Sequence, residues 1–264
     1  MKTQTYDDFS RDYDRFVNWD ERLKVEMPFL KETLHTSKQV RGHSPRVLDA
    51  GCGTGMHAIA LATEGFQAAG ADISGEMIRQ AKTNTEMANK AVEFKPAGFG
   101  ELAKAFSDSA HFPFDGLICL GNSLPHMLSK EAISGALADM ANCLCSGGVL
   151  LIQNRNFDAV MKEKQRWLGT QSYREGEKEW VFLRFYDFDA DGLITFNIVR
   201  LFRQGDSPWS EAHSTTRLYP LLQDTLIGLI ADTGFESITC FGKMDNEPFN
   251  PAASGNLVVR AVNI

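Results

Sequence analysis

Hydrophobic and polar positions alternate along the chain between short apolar runs and segments with helical spacing. Five apolar runs have the length of a buried strand, and they begin at Val47, Phe66, Val92, Phe114 and Val149. This alternation predicts an α/β fold with a mostly parallel sheet. Two later runs, residues 235–241 and 257–262, predict a closing hairpin whose last strand is antiparallel to its neighbours. The expected sheet therefore has seven strands.

The first 45 residues contain no strand-like run. Between Phe9 and Leu34 the apolar side chains recur at mostly helical intervals, which predicts two or three helices ahead of the sheet. We expect residues 1–45 to form a helical lid. The sheet domain is then expected to consist of residues 46–157 and 217–264.

Residues 158–216 do not follow the alternating pattern. The runs Trp180–Phe188 and Leu193–Phe202 are rich in aromatic and β-branched residues, and the hairpin sequence Asp-Ala-Asp-Gly separates them. With residues 216–220 as a third strand, they predict an antiparallel β flap inserted over a substrate pocket. Three tyrosines of this region are candidates to face the reacting group: Tyr173, Tyr186 and Tyr219.

The composition limits the classes of partner. The chain has 264 residues, 43% of them hydrophobic, and a formal net charge of −7. No cluster of Lys and Arg indicates a nucleic-acid surface, and no apolar run is long enough to span a membrane. The N-terminus lacks the apolar core of a secretory signal, which favours the cytoplasm. The cysteines form no Cys-x-x-Cys pair and the histidines show no zinc spacing, so we expect reduced thiols and no metal.

The stretch from Val47 to Gly55 predicts a strand, a glycine turn and the start of a helix. Gly51, Gly53 and Gly55 permit a tight turn and a close approach of the backbone to a ligand. The helix that follows directs its unpaired amide groups at that ligand. A dinucleotide fingerprint needs Gly-x-Gly-x-x-Gly, whereas the third glycine here comes one residue early. This spacing disfavours an NAD-linked dehydrogenase.

Two acidic residues accompany this turn: Asp49 precedes the glycines, and Asp72 ends the second strand, where an acid can accept hydrogen bonds from ribose hydroxyls. The whole pattern resembles motif I of the class I S-adenosylmethionine (SAM)-dependent methyltransferases. The resemblance implies a Rossmann-like fold, SAM as the cofactor and S-adenosylhomocysteine as its product. It also implies a cofactor site made of Asp49, Ala50, Gly51, Gly53, Asp72, Ile73, Met77, Gly98, Phe99 and Leu120. Many related enzymes carry Asp or Asn where this chain has Gly98, and Met77 is equally compatible with core packing.

Two strand ends resemble a narrower family, the glycine and sarcosine N-methyltransferases. The matching segments are Ile118–Ser123, which a histidine follows at position 126, and Arg155–Phe157. The resemblance implies that Asn122 touches an amino acid substrate and that Arg155 binds its carboxylate. In that family an N-terminal tyrosine and arginine close over the cofactor, which implies these roles for Tyr13 and Arg22.

Each of these assignments has a structural alternative. Arg155 could form an ion pair at the rim of the sheet, Arg22 could be a solvated helix charge, and we interpret His126 as the start of the next helix. Residues 122–125 also lack the Asp/Asn-Pro-Pro-aromatic sequence with which enzymes methylate nucleic-acid bases.

The resemblance therefore implies methyl transfer from SAM to a small molecule, most simply to the amine of a small amino acid such as glycine or sarcosine. Two alternatives stay open: transfer to an oxygen or carbon nucleophile of another small metabolite, and SAM binding without turnover. We expect no nucleic-acid or membrane partner, and a homo-oligomer stays open.

Overall fold

The computed structural model describes residues 13–41 and 44–264. Residues 13–16 are helical, and one long helix, α1 (Trp19–Arg41), then leads to the sheet. The predicted helical segment before Tyr13 lies outside the described residues. None of the helices in the described part of the chain is long and apolar enough to cross a membrane.

The order of helices and strands follows the predicted alternation. The strands are β1 (Arg46–Ala50), β2 (Gln67–Asp72), β3 (Glu93–Pro96), β4 (Phe114–Cys119), β5 (Leu144–Arg155), β6 (Gln171–Glu175), β7 (Lys178–Phe188), β8 (Ile194–Gln204), β9 (Ser210–Leu218), β10 (Phe235–Phe241) and β11 (Asn256–Asn263). The further helices are α2 (Met56–Thr63), α3 (Gly75–Met87), α4 (Leu102–Phe106), α5 (Lys130–Cys143), α6 (Phe157–Glu163) and α7 (Gln223–Asp232), with a 3-10 turn at Leu124–His126.

Seven strands form the main sheet in the order β10-β11-β5-β4-β1-β2-β3. All neighbours are parallel except β11, which is antiparallel to both β5 and β10. The predicted α/β fold with its antiparallel last strand is therefore confirmed. The strand order reverses between β1 and β4, and such a point in an open α/β sheet leaves a crevice at the carboxyl ends of the strands.

The central strands are buried on both faces. In β1, Val47 and Leu48 are almost inaccessible and belong to separate hydrophobic clusters, one on each side of the sheet. Helix α1 covers the Val47 side with Leu30 and Leu34, and α5 contributes to the other cluster. This double burial explains why these strands appear in the sequence as continuous apolar runs.

The flap is a second antiparallel sheet with the order β6-β7-β8-β9. It has one strand more than predicted, and its last strand begins at Ser210 and ends at Leu218, rather than covering residues 216–220. Both β6 and most of β9 are polar and at least partly exposed, so they lack the apolar run by which β7 and β8 could be recognised. The domain boundary proposed at residue 217 therefore falls inside β9.

Candidate active site

A cavity of about 750 Å³ lies at the carboxyl ends of the central strands, where the strand order reverses. Its walls come from the turns after β1 and β4, from the N-terminal segment and from the flap. The predicted site residues that line it are Tyr13, Arg22, Gly51, Gly53, Asp72, Ile73, Met77, Gly98, Phe99, Asn122 and Arg155. The structure thus brings most of the predicted site together in one space.

The glycine turn after β1 forms the floor of the cavity. The amides of Gly51 and Cys52 both donate to the Ala71 carbonyl oxygen, at 2.8 Å each, which ties the turn to the end of β2. Gly51 has a φ of 79°, and a Cβ there would lie 2.9 Å from the Ser123 side chain. Only glycine therefore fits at this point, and the backbone itself faces the cavity.

Asp72 is fixed at the cavity wall by two backbone amides. Its Oδ2 accepts a hydrogen bond from the Gly53 amide and its Oδ1 accepts one from the Ser74 amide, both at 2.9 Å. A carboxylate oxygen can accept more than one hydrogen bond, so this geometry is compatible with the predicted contact to ribose hydroxyls. The two amide bonds set the direction of the carboxylate.

Three predicted cofactor residues lie behind the cavity wall rather than in it: Asp49, Ala50 and Leu120 are almost fully buried at the ends of β1 and β4. Asp49 Oδ2 has no hydrogen-bond partner among the described residues. Burial raises the pKa of Asp49 to about 7, and the negative charge of Asp72 adds to this effect. A buried carboxyl group without a partner favours a cation or hydrogen-bond donor in the cavity above it.

The loop after β3 forms another wall of the cavity. Gly98 and Phe99 face Ile73, and a Cβ at Gly98 would lie 3.1 Å from Ile73 Cδ1. Met77 is buried at the edge of this slot. The side chains that line this part of the cavity are apolar, and they include the aromatic ring of Phe99.

Asp139 fixes the position of this loop, and no sequence motif marks it. It lies on α5, where its Oδ2 accepts from the amides of Gly100 and Leu102 at 2.9 and 2.8 Å, and its Oδ1 accepts from the Ala103 amide at 3.1 Å. A buried carboxylate with three amide donors is a strong structural constraint. The loop position is therefore determined by helix α5, which packs in the same hydrophobic cluster.

Arg22 lies on α1 and lines another wall of the cavity. Its Nε is 3.1 Å from both carboxylate oxygens of Glu26, and Glu26 Oε2 is 2.7 Å from His57 Nε2. Burial alone would raise the pKa of Glu26, but the hydrogen bond with His57 and the charge of Arg22 lower it overall. A Cβ at Gly121 would lie 3.7 Å from Arg22 Nη2, so the outer edge of the guanidinium faces the turn after β4. The pair with Glu26 thus orients Arg22 towards the cavity.

The N-terminal segment is attached to the sheet domain by Asp14. Its carboxylate accepts hydrogen bonds from Trp19 Nε1 at 2.9 Å, from Asn84 Nδ2 at 3.1 Å and from the Thr54 hydroxyl. These bonds place Tyr13 against Gly53, and burial raises the pKa of the Tyr13 hydroxyl. The segment therefore lies against the glycine turn, and the role of Tyr13 in closing over the cofactor stays a prediction.

Asn122 and Arg155 are joined directly. Asn122 adopts a left-handed backbone conformation with a φ of 69°, and its Oδ1 accepts a hydrogen bond from the Arg155 amide at 3.0 Å. The Asn122 amide donates to the Gln153 carbonyl oxygen at 3.1 Å. These bonds connect the turn after β4 to the end of β5. The side-chain oxygen Oδ1 of Asn122 is thus bound to the Arg155 amide. The side-chain nitrogen Nδ2 of Asn122 has no hydrogen-bond partner among the described residues.

The flap closes the remaining side with Arg184 and Tyr186 of β7, together with Phe196 and Ile198 of β8. Of the three candidate tyrosines, Tyr186 lines the cavity, whereas Tyr173 lies on β6 and Tyr219 packs against the core of the sheet domain. Sequence reasoning missed Arg184, because no motif marks it.

His126 also lines the cavity, at the end of the 3-10 turn after β4. Burial lowers its pKa to about 4, so its imidazole is neutral at pH 7. The sequence suggested only a helix start at this position. Within residues 13–41 and 44–264, no group of three or more His, Cys, Asp or Glu side chains is arranged to hold a metal ion.

Comparisons with known sequences agree with this geometry. A family model described as a methyltransferase domain matches residues 47–148. The chain is 29% identical over 240 residues to the glycine/sarcosine N-methyltransferase of Aphanothece halophytica, covering 89% of this chain and 80% of that protein. It is 34% identical over 125 residues to human glycine N-methyltransferase, covering 44% of this chain and 42% of that protein.

Solved structures share the fold. An S-adenosylmethionine-dependent methyltransferase from Clostridium acetobutylicum superposes with a TM-score of 0.76 at 15% identity, covering 97% of this chain and 98% of that chain. An amino pentose methyltransferase from Micromonospora echinaspora, solved with SAM bound, has a TM-score of 0.65 at 16% identity, covering 91% of this chain and 92% of that chain.

Proposed function

We propose that this chain, which is a class I SAM-dependent methyltransferase, transfers a methyl group to the amine of a small amino acid of the glycine or sarcosine type. The enzyme class rests on the family model, on the curated relatives and on the fold together. The acceptor is our proposal. It is supported by the names of the relatives and, above all, by Arg155, a cavity-lining arginine without an ion-pair partner among the described residues.

The cavity fits SAM in three respects. The glycine turn leaves no room for a Cβ at Gly51, the carboxylate of Asp72 is held at the wall, and Asp49 Oδ2 lacks a partner beneath the floor. We propose that Asp72 binds the ribose hydroxyls, that Arg22 binds the methionine carboxylate, and that Phe99 stacks on the base.

The reaction needs positioning more than it needs a strong acid or base. When bound, SAM supplies a methyl group that its sulfonium makes electrophilic. The lone pair of the acceptor amine forms the new N–C bond, the electrons of the broken C–S bond stay on sulfur, and the proton of the product ammonium leaves to solvent. His126 is too weak a base for an ammonium group, because its pKa is about 4. The acceptor therefore has to arrive as the free amine.

Arg155 and Asn122 do the positioning. The guanidinium group of Arg155 can bind the acceptor carboxylate through two parallel hydrogen bonds. Asn122 fixes the backbone of Arg155 through its side-chain oxygen, and its side-chain nitrogen Nδ2 is available to the acceptor. Phe196, Ile198 and the N-terminal segment exclude water from the transfer site.

The test is a methyl-transfer screen that uses labelled SAM, glycine, sarcosine, other amino acids, and hydroxyl and carbon nucleophiles of similar size. We expect label on the nitrogen of an amino acid, identified by mass spectrometry. Label only on an oxygen or carbon would assign the enzyme to another acceptor class. SAM binding without transfer to any acceptor would indicate a protein without turnover.

We also propose that the enzyme acts in the cytoplasm. All five cysteines carry reduced thiols, and four of them are buried. Reduced thiols are typical of a reducing compartment, which supports this location.

A further inference from the structure

Two arginines enter the cavity from opposite elements. Arg155 lies at the carboxyl end of β5 in the main sheet, and Arg184 lies in the middle of β7 in the flap. Burial lowers the pKa of Arg184, and the positive charge of Arg155, which lines the same cavity, adds to this effect. Tyr186 lines the same cavity. Burial raises the pKa of its hydroxyl, and the charges of Arg155 and Arg184 and a hydrogen bond with Arg155 oppose this rise.

Neither arginine has a carboxylate partner among the described residues. On the outer faces of the flap the pattern is different: Arg174 pairs with Glu179, Arg166 with Asp187, and Arg217 with Asp191. Inside the cavity, one Arg184 terminal nitrogen donates to the Gly169 carbonyl oxygen at 3.1 Å, and the guanidinium lies 4.9 Å from the centre of the Phe16 ring. The Nε atoms of Arg155 and Arg184 are both buried without a hydrogen-bond partner.

This arrangement leaves an excess of positive charge at this side of the cavity. Arginine stays charged in proteins, and a partly buried guanidinium group without a carboxylate partner favours the binding of an anion. SAM does not remove the excess, because its sulfonium adds a positive charge and we assign its carboxylate to Arg22. A monocarboxylic acceptor such as glycine would supply one negative charge for two guanidinium groups.

We propose that the acceptor amino acid carries a second anionic group, which Arg184 binds while Arg155 binds the α-carboxylate. This proposal rests on one part of the proposed function, methyl transfer to the amine of an amino acid. In place of glycine or sarcosine it assigns amino acids with an acidic side chain, of the aspartate or glutamate type, as the preferred acceptors. Arg184 then determines substrate specificity, and the flap supplies it. The methyl-transfer step itself is unchanged.

The first test measures binding without turnover. Enzyme saturated with S-adenosylhomocysteine is titrated by calorimetry with succinate and glutarate, and with acetate and propionate as monocarboxylates of related structure. We expect the dicarboxylates to bind at least tenfold more tightly to the unmodified enzyme. Equal affinity for the two classes would overturn the proposal, and this comparison needs no variant to fold.

Variants assign the effect to Arg184. Arg184→Met keeps an unbranched apolar side chain without the charge, and it should lower the dicarboxylate preference at least tenfold. Arg184→Lys should retain part of it, because a point charge remains without the planar fork. Arg174→Met removes an exposed flap arginine and should leave the preference unchanged. A preference that survives Arg184→Met would mean that Arg184 only stacks on Phe16 and holds Gly169.

Turnover separates this proposal from the function on which it rests. We expect kcat/KM for aspartate or glutamate to exceed that for glycine and sarcosine, and Arg184→Met to lower this ratio at least tenfold. Methylation of amino acids without a dicarboxylate preference would overturn the second anion and leave the proposed function intact. Dicarboxylate binding without methylation of any amino acid would contradict the amine acceptor and support the two-arginine site.

Discussion

The two ends of the cavity, which we call the cofactor end and the acceptor end after the proposed function, are built from different parts of the chain. Acidic side chains predominate at the first end and basic side chains at the second. At the cofactor end, backbone groups of the glycine turn and acidic side chains at strand ends face the space, with Asp72 in the wall and Asp49 buried behind it. At the acceptor end, the long basic side chains of Arg155 and Arg184 enter from β5 and the flap. The cofactor end is thus formed largely by the backbone of a turn and by carboxylates at strand ends. The acceptor end is formed by long side chains.

This difference predicts that the two binding steps separate by mutation. Because the cofactor end is formed largely by the backbone, we expect it to bind SAM in the same way when residues of the flap are changed. An end built from side chains changes specificity by single substitutions, without altering the sheet. The following predictions test this separation, from the largest expected effect to the smallest.

Asp72→Ala should break the cofactor end. It removes the proposed ribose contact and leaves the amides of Gly53 and Ser74 without their acceptor. Hydrogen bonds to a charged group contribute about 1.5–3 kcal/mol, so we expect affinity for S-adenosylhomocysteine to fall about 100-fold. Calorimetry measures this, and Asp232→Ala, an exposed carboxylate at the end of α7, is the control. Unchanged affinity would place the ribose elsewhere.

Arg155→Lys should damage the acceptor end alone. The lysine keeps the charge but cannot form two parallel hydrogen bonds with a carboxylate, so the KM for the acceptor should rise about tenfold. Affinity for S-adenosylhomocysteine should stay as it is in the unmodified enzyme. Steady-state kinetics at saturating SAM, together with calorimetry, checks both values. A parallel loss of cofactor affinity would show that the two ends are not independent.

Asp49→Asn should change how stability depends on pH. The pKa of Asp49 is about 7 in the folded chain, whereas an unfolded aspartate titrates near about 4. Between these values the folded chain retains a proton that the unfolded chain has lost, so this group makes the free protein less stable as pH rises, up to about pH 7. Urea unfolding at about pH 6 and about pH 8 should show a loss of about 1 kcal/mol that the variant lacks. An identical loss in the variant would contradict this assignment.

The sequence indicated the fold and the residues at its strand ends because their signals are local. The central strands are buried on both faces and so appear as apolar runs, and the alternate glycines precede Met56 directly. Parallel strands bring their carboxyl ends to one edge, so Asp72, Asn122 and Arg155 could be placed on the same side of the sheet. The fold and the proximity of these residues therefore followed from short stretches.

Residues that act through distant contacts were not predictable in this way. Asp14 binds Asn84, which lies 70 positions away, and Asp139 binds Gly100, 39 positions away. Arg184 enters the cavity only because the flap packs against α6 and the N-terminal segment, and two of the four flap strands are too polar to show a strand pattern. The acceptor end depends on tertiary packing, which spacing along the chain does not record.

The three amide bonds that Asp139 accepts also have a thermodynamic consequence. Through them helix α5, which does not line the cavity, fixes the end of the Gly98–Gly100 loop. The proposed slot for the base is therefore formed before any ligand binds. A nucleoside that enters it loses its own freedom but does not have to order the loop. Most of the entropy cost at this wall is met during folding, which leaves the N-terminal segment and the flap as the parts whose ordering can be coupled to catalysis.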